Sequence, residues 1–394
     1  MQSGIVPGII LFFVITGLSL HCCSVVSRLM DMCKLLHGDN YSVTGFEDFD
    51  IGHRWFQVCV NFIVNLDFVF GATITISMMA VNLDEAISYL AKDESGIYMS
   101  GAYYRYIVGA ISLLLLPIVW IKHFNGLAKI SFLGTIANFV VMGIIVTDAI
   151  IAISGDYPQL SDVKRPWFNS GIFDGIGTMT YLYGVASMMP SFRDDMKKPN
   201  DLGKVVSSVH TMCVITYIGI TVMSIWAYGD SVGYVVSQSF VVPAFKIVVA
   251  CCVSLSLFSS TALYLVPPGL EVEAYFQKKK SKTRELTIRL IGRTCILIFA
   301  GGIAMISPRI DLLFNFVGSV TTTSVQTTFP QVFLFLMHRK MKRAPAHIRE
   351  KYQGVPWWVW AVAAFAFAWG LFTLTYGIYD SIRILVKALN DVEN

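Results

Sequence analysis

The chain has 394 residues, 55% of them hydrophobic and only 14% charged, with a mean hydropathy of +0.62 and a formal net charge of +4. That balance excludes an ordinary soluble domain and identifies an integral membrane protein. The eight cysteines sit mostly inside apolar stretches, as Cys22, Cys59, Cys213, Cys251 and Cys295 do; they lack metal or paired spacing and read as apolar filling.

A helix that crosses a bilayer takes about 20 apolar residues. Ten segments meet or approach that length: residues 3–26, 55–81, 104–120, 127–153, 172–190, 205–228, 243–266, 288–306, 312–336 and 355–378. The expected fold is all-α and polytopic, with about ten transmembrane helices forming a single transmembrane domain over 1–394. The third and fifth segments carry the weakest pattern. No basic n-region precedes the first segment, so no signal peptide is expected there.

Lys and Arg collect in alternate loops, which sets orientation because basic residues resist translocation. With the loop after the first span in the cytosol, 22 of the 30 basic residues lie on that side. Ten spans then place both termini on the opposite side and put the sequon Asn40-Tyr41-Ser42 in the cytosol, where no glycan is added. Lys278, Lys279, Lys280 and Lys282 either serve this retention or hold anionic lipid headgroups. Trp357, Trp358 and Trp360 suit a membrane interface.

In the second span Asp67 falls close to the bilayer midplane, where an ionised carboxylate costs roughly 2.5 to 3.5 kcal/mol or more. It is expected to be protonated, paired or facing water, as a proton-carrying coupling site or as a hydrogen-bonded packing residue. Asn61, Asn65 and Thr75 share one stripe away from Asp67, and the two asparagines suit interhelical bonding.

The fifth span holds Tyr183, Gly184, Ser187 and Pro190, and the proline frees the carbonyl of Ala186 one turn upstream. Broken helices in a membrane are tolerated where they are buried in protein or line a wet cavity. Two readings stand: a discontinuous helix whose exposed backbone binds a small zwitterion, or a proline kink with a glycine that eases packing.

The ninth span carries Ser319, Thr321, Thr322, Thr323, Ser324, Gln326, Thr327 and Thr328. Ser319, Thr322 or Thr323, and Gln326 recur at helical spacing and would line a polar cavity, unless the hydroxyls bond back to their own helix. Asp148, near a span end, and Lys246, which can snorkel, carry no assignment.

Enzyme chemistry finds no support. Gly175-Ile176-Gly177 follows no strand and lacks the third glycine of a dinucleotide fingerprint. The seven histidines are scattered without a metal pair. No soluble segment is large enough for a catalytic domain, and neither metal nor cofactor is expected.

Tyr183-Gly184-Val185-Ala186 followed by Pro190, Met196 and Pro199 resembles the sixth helix of the amino acid/auxin permease family. Tyr228-Gly229-Asp230-Ser231, then Pro267, Glu273 and Phe276, then Arg293-Thr294, Gly318 and Pro330 are similar to later family segments in the same order. The resemblance covers nearly the whole chain and lies nearest the vesicular-type invertebrate members. Val185 and Ala186 stand where many relatives have Gly and His, or Glu and Gly. The start, Gln2-Ser3-Gly4-Ile5-Val6-Pro7-Gly8, looks like the family's stretch between helices one and two, so the first helix is expected to be missing. Restoring one span would return the N-terminus to the cytosol.

The resemblance implies a LeuT-type inverted-repeat fold of five plus five helices. Residues 1–153 would form a partial first repeat, 172–336 the second repeat and 355–382 an additional last helix. It also implies secondary active transport of an amino acid or related small amine, as proton symport with sodium as the alternative ion. One repeat would rock against the other in alternating access. Tyr183, Gly184, Ser187, Thr322 and Gln326 are the substrate-binding candidates, and Asp67 the coupling candidate. A truncated, non-transporting isoform that modulates a full-length transporter is the alternative, and a channel the third reading. The partners expected are an amino acid, protons or sodium, and the lipid bilayer, with no nucleic acid. Plasma membrane and vesicular or lysosomal membrane both fit.

Overall fold

The computed structural model describes residues 4–38, 41, 43, 45–49, 54–90, 103–121, 124–155, 167–168, 173, 175–232, 235–276, 282–306 and 310–393. Asn40, Ser42 and Lys278 to Lys280 lie outside them. The described residues form helices and connecting turns, as apolar segments must where only intra-helical bonds can satisfy the backbone.

The helices are α1 (Ile5–His37), α2 (Arg54–Leu90), α3 (Tyr104–Val119), α4 (Phe124–Ser154), α5 (Ile176–Tyr181), α6 (Met189–Asp195), α7 (Leu202–Tyr228), α8 (Pro243–Phe276), α9 (Lys282–Ile306), α10 (Ile310–Val317), α11 (Phe329–Arg343), α12 (Ala346–Arg349) and α13 (Trp357–Glu393). Among the described residues seven helices are unbroken, apolar and long enough to cross a membrane, and α3 is a shorter apolar helix of 16 residues. The other two expected spans are interrupted. The fifth is α5, a 3-10 turn at Ala186–Met188, and α6; the ninth is α10 and α11 joined by π-helical turns at Gly318–Thr322 and Ser324–Thr328.

The chain divides into two compact units that interleave in sequence. The first holds 68–167 and 219–313. Its core is an α2–α3–α8–α9 cluster around Ala72, Ile76, Leu115, Leu265, Leu297 and Ala300. Close approach needs small residues there: a Cβ on Gly71 would come within 2.7 Å of the Tyr264 ring, and one on Gly134 within 3.1 Å of the Ser256 backbone. Thr261 on α8 donates to Thr75 on α2 at 2.7 Å, and Tyr104 donates to Ala304 O at 2.9 Å.

Two buried polar clusters tie this unit together. Asp148 accepts from Tyr228 OH at 2.5 Å and from the backbone N–H of Val241 and Val242 at 3.0 Å each. Those two amides precede α8, whose first N–H groups have no intrahelical partner. Arg293 is fully buried; it donates to Glu273 at 2.9 Å and to the carbonyls of Val119 and Ile121 at the end of α3.

The second unit holds 2–67, 168–218 and 314–394. Phe46, Phe49, Phe56 and Phe329 gather around Phe333 with ring centroids 5.5 to 6.2 Å apart. Arg193 on α6 donates to Asp31 at 2.5 Å and to Ser27 O at 3.0 Å, fixing α6 against α1. Asn315, Asp380, Ser381 and Arg383 form a further polar cluster between α10 and α13. On α7 the apolar Val205, Val209, Met212 and Ile215 stay exposed, as lipid-facing positions do.

Candidate functional site

The break in the fifth span follows from its sequence. Beyond Tyr181 the hydrogen bonds tighten: Tyr183 N–H reaches Thr180 O, Gly184 N–H reaches Tyr181 O, and Val185 N–H reaches Tyr183 O at 2.7 Å. Pro190 opens α6 at a position where a missing N–H is harmless. Between the two short helices, Ala186 N–H leaves the helix ladder and donates to the side-chain oxygen of Gln326 at 2.7 Å.

Gln326 lies in the π-helical stretch of the ninth span, buried to 1% exposure. Its amide nitrogen donates to Ser19 on α1 at 2.8 Å, so one side chain supplies both an acceptor and a donor at the break. Ser19 Oγ also lies 3.4 Å from Tyr183 O and 2.9 Å from Nε2 of His210 on α7. The Tyr183 hydroxyl meets Thr16 at 2.8 Å, and its ring stacks on His210 with centroids 5.4 Å apart. A cavity of about 10 Å³, room for about one water, is lined by Ser19, Thr180, Tyr183, Gln326, Thr327 and Trp369 among others.

Gly184 faces Thr322: a Cβ there would stand 2.6 Å from Thr322 Cγ2. Thr322 in turn donates to Asp67 at 2.7 Å, and Thr321 lies 2.7 Å from the same carboxylate oxygen. Adjacent residues of a regular helix point about 100° apart. The π turn at Gly318–Thr322 departs from that regular repeat where both hydroxyls meet one oxygen; π turns recur at functional sites. Asp67 is 6% exposed, a buried acid hydrogen-bonded to the two threonines.

The residues singled out in the sequence thus fall in one unit. Tyr183 and Gln326 line the cavity; Gly184, Thr322 and Asp67 form a contiguous line beside it; Ser187 is buried on the 3-10 turn between α5 and α6 and does not line the cavity. Thr323, Ser324 and Thr327 bond back to Gly318 O, Val320 O and Thr323 O of their own helix. Asn65 does the same toward Asn61 O. Thr16, Ser19 and His210 were not singled out as site residues, although Thr16 and Ser19 were legible as polar groups inside an apolar run.

The sequence pattern of the transmembrane amino acid transporter protein family matches residues 1–383. The chain is 22% identical over 302 residues to amino acid transporter AVT1B of Arabidopsis thaliana, covering 74% of this chain and 54% of that protein. It is 23% identical over 232 residues to amino acid transporter AVT1J of the same plant, covering 59% and 52% respectively. Vacuolar amino acid transporter 3 of Schizosaccharomyces pombe is 27% identical over 215 residues, covering 52% of this chain and 32% of its own. The chain therefore spans about half the length of these relatives or less. With a helical multi-pass architecture and a match over nearly its whole length, the chain belongs to the transmembrane amino acid transporter protein family.

Proposed function

We propose that the chain carries a neutral amino acid or a related small amine across a membrane by proton-coupled secondary active transport with alternating access. The relatives' names as amino acid transporters support the substrate class. Sodium is the alternative coupling ion. A vacuolar or lysosomal membrane fits the naming of the yeast relative, and the plasma membrane is the other location compatible with the sequence. The repeat division 1–153, 172–336 and 355–382 belongs to the same proposal.

One observation carries the binding mode: Ala186 N–H, freed by the break, is held by the Gln326 amide, whose other end donates to Ser19. The amide presents an oxygen acceptor and a nitrogen donor, as the carboxylate and ammonium of an amino acid do. A substrate carboxylate would replace the Gln326 oxygen on Ala186 N–H, and its ammonium would face Tyr183 O and Ser19. Tyr183 and Ser187 flank that position and Thr322 backs Gly184. A cavity of about 10 Å³ is far too small for an amino acid, so Gln326 has to swing aside when substrate enters.

Asp67 suits the coupling role because Thr321 has one hydroxyl hydrogen and two acceptors within reach, Asp67 and Val317 O. When Thr321 donates to Val317, a protonated Asp67 donates to Thr321; when Asp67 is ionised, Thr321 turns to it.

The test is a thermal-shift screen of purified protein against neutral amino acids, with the matching decarboxylated amines and amino alcohols as controls. Stabilisation by an amino acid that its decarboxylated amine fails to reproduce supports the carboxylate subsite at Ala186. Equal stabilisation by the amine refutes it.

A further inference from the structure

We propose that His210 is a positioning residue of the break, whose protonation state is passed through the Ser19 hydroxyl to the Tyr183 carbonyl. This rests on the break being the substrate site. Nδ1 of His210 lies 3.0 Å from Val206 O on its own helix. A carbonyl only accepts, so Nδ1 carries a hydrogen. In the neutral ring Nε2 is then bare, and the Ser19 hydroxyl at 2.9 Å donates to it. Gln326 donates to the same Ser19 oxygen at 2.8 Å. The single hydrogen of Ser19 is thereby committed to His210. Tyr183 O, 3.4 Å from Ser19 Oγ, accepts only from Val185 N–H among these groups and keeps its second lone pair for a substrate ammonium.

A proton on Nε2 reverses the middle of this chain. His210 and Gln326 both donate to Ser19, and the Ser19 hydrogen turns to the Tyr183 carbonyl, a stronger acceptor than the neighbouring Cys23 sulfur. The change needs only a rotation about the Ser19 Cβ–Oγ bond. The stacked Tyr183 ring, 5.4 Å away with an interplanar angle of 21°, is within the roughly 6 Å range at which an aromatic face attracts a cation, so the charged ring stays in place. A substrate ammonium approaching Tyr183 O then meets an occupied carbonyl beside a positive charge. Proton on His210 and ammonium at the break oppose each other, and by linkage each weakens the other by the same factor.

Other ionisable groups near this chain are the phenols of Tyr183 and Tyr217 and the thiols of Cys213 on α7 and Cys23 on α1, the last in contact with Ser19 and Gln326. Their ordinary titration lies above pH 8, which leaves the imidazole as the group of this set whose ordinary titration lies lower. The Asp67–Thr322 contact shares no member with the His210–Ser19–Tyr183 chain, so mutation separates the two.

The experiment uses the full chain in lipid nanodiscs with no substrate, labelled with 15N-histidine, 13C-carbonyl tyrosine and 15N-glycine. Three Tyr–Gly peptides report, at Tyr183, Tyr228 and Tyr376; Tyr228→Phe and Tyr376→Phe assign them, and His210→Gln assigns the ring. The Tyr183 carbonyl resonance is expected to move with pH at the midpoint of the His210 nitrogens. That movement is expected to be lost in Ser19→Ala and restored in Ser19→Thr, which keeps the hydroxyl. A Tyr183 carbonyl that stays still while His210 titrates, one that moves equally in Ser19→Ala, or a His210 that never titrates overturns the proposal. Because no transport is measured, absence of uptake would refute the transport reading without deciding this outcome.

Discussion

Substituting Gly184 by alanine tests the link between the break and Asp67. The new Cβ would stand 2.6 Å from Thr322 Cγ2 and 3.2 Å from Tyr181 O. Ordinary carbon contacts lie at about 3.5 to 4.0 Å, so Thr322 has to retreat by about 1 Å. Such overpacking typically costs about 1 to 3 kcal/mol. A retreating Thr322 also gives up its 2.7 Å hydrogen bond to Asp67, worth about 1 to 2 kcal/mol more. The sum of about 2 to 5 kcal/mol corresponds to a fall in unfolding temperature of roughly 2 to 6 °C for a chain of this size. The assay is thermal unfolding in detergent followed by a thiol-reactive dye, since the thiols of Cys22 and Cys23 are free and buried. Gly143→Ala and Gly219→Ala are the controls, because a Cβ there meets nothing within 4 Å, and alanine in a helix is favoured by up to about 1 kcal/mol. Gly184→Ala unfolding at or above the temperature of these controls would refute the close approach of the break to Thr322.

Asp67→Asn is expected to reduce proton-driven uptake in proteoliposomes several-fold while leaving substrate exchange largely intact; unchanged pH dependence of uptake would remove Asp67 from the coupling role. Arg293→Met leaves Glu273 without its closest cation and uncaps the end of α3, so thermal unfolding should show a loss of about 3 to 5 kcal/mol. Asp148→Ala deprives three donors of their acceptor and should cost about 3 kcal/mol or more, with Asp148→Asn in between; equal stability of wild type and Asp148→Ala would contradict the Asp148 contacts. Burial pushes the Tyr352 phenol, outside the membrane spans, up to about 12 against the opposing pull of Arg28. The raised folded value contributes stability below about pH 10 that is lost as pH climbs towards 12, and Tyr352→Phe should flatten that part of a stability-versus-pH curve.

The long apolar runs were legible because a span announces itself by length alone, whereas Gly184 and Pro190 in one short run left a break and a proline kink both open. The ninth span was not legible as a broken one. It has no proline between Gly318 and Thr328, and α-helical spacing groups Ser319 with Thr322 and Gln326. The π turns instead place Thr321 beside Thr322 on Asp67, while Ser319 packs against Gly177 and Gly377. Widened turns arise from packing against neighbouring helices, which a local pattern does not encode. The pairing of His210 with Ser19 escaped for a related reason: each stands among other polar residues of its own helix, and they meet across 191 positions of sequence. Arg293 was legible only as a family motif residue, and its burial against Glu273 and the α3 carbonyls follows from the helix packing.

The most direct measurement is uptake of radiolabelled neutral amino acids into proteoliposomes holding the purified full chain, with and without an imposed proton gradient. The account predicts saturable uptake of at least one amino acid above empty liposomes, abolished when an uncoupler collapses the gradient. Uptake indistinguishable from empty liposomes for every amino acid, with the protein folded and inserted, would contradict it.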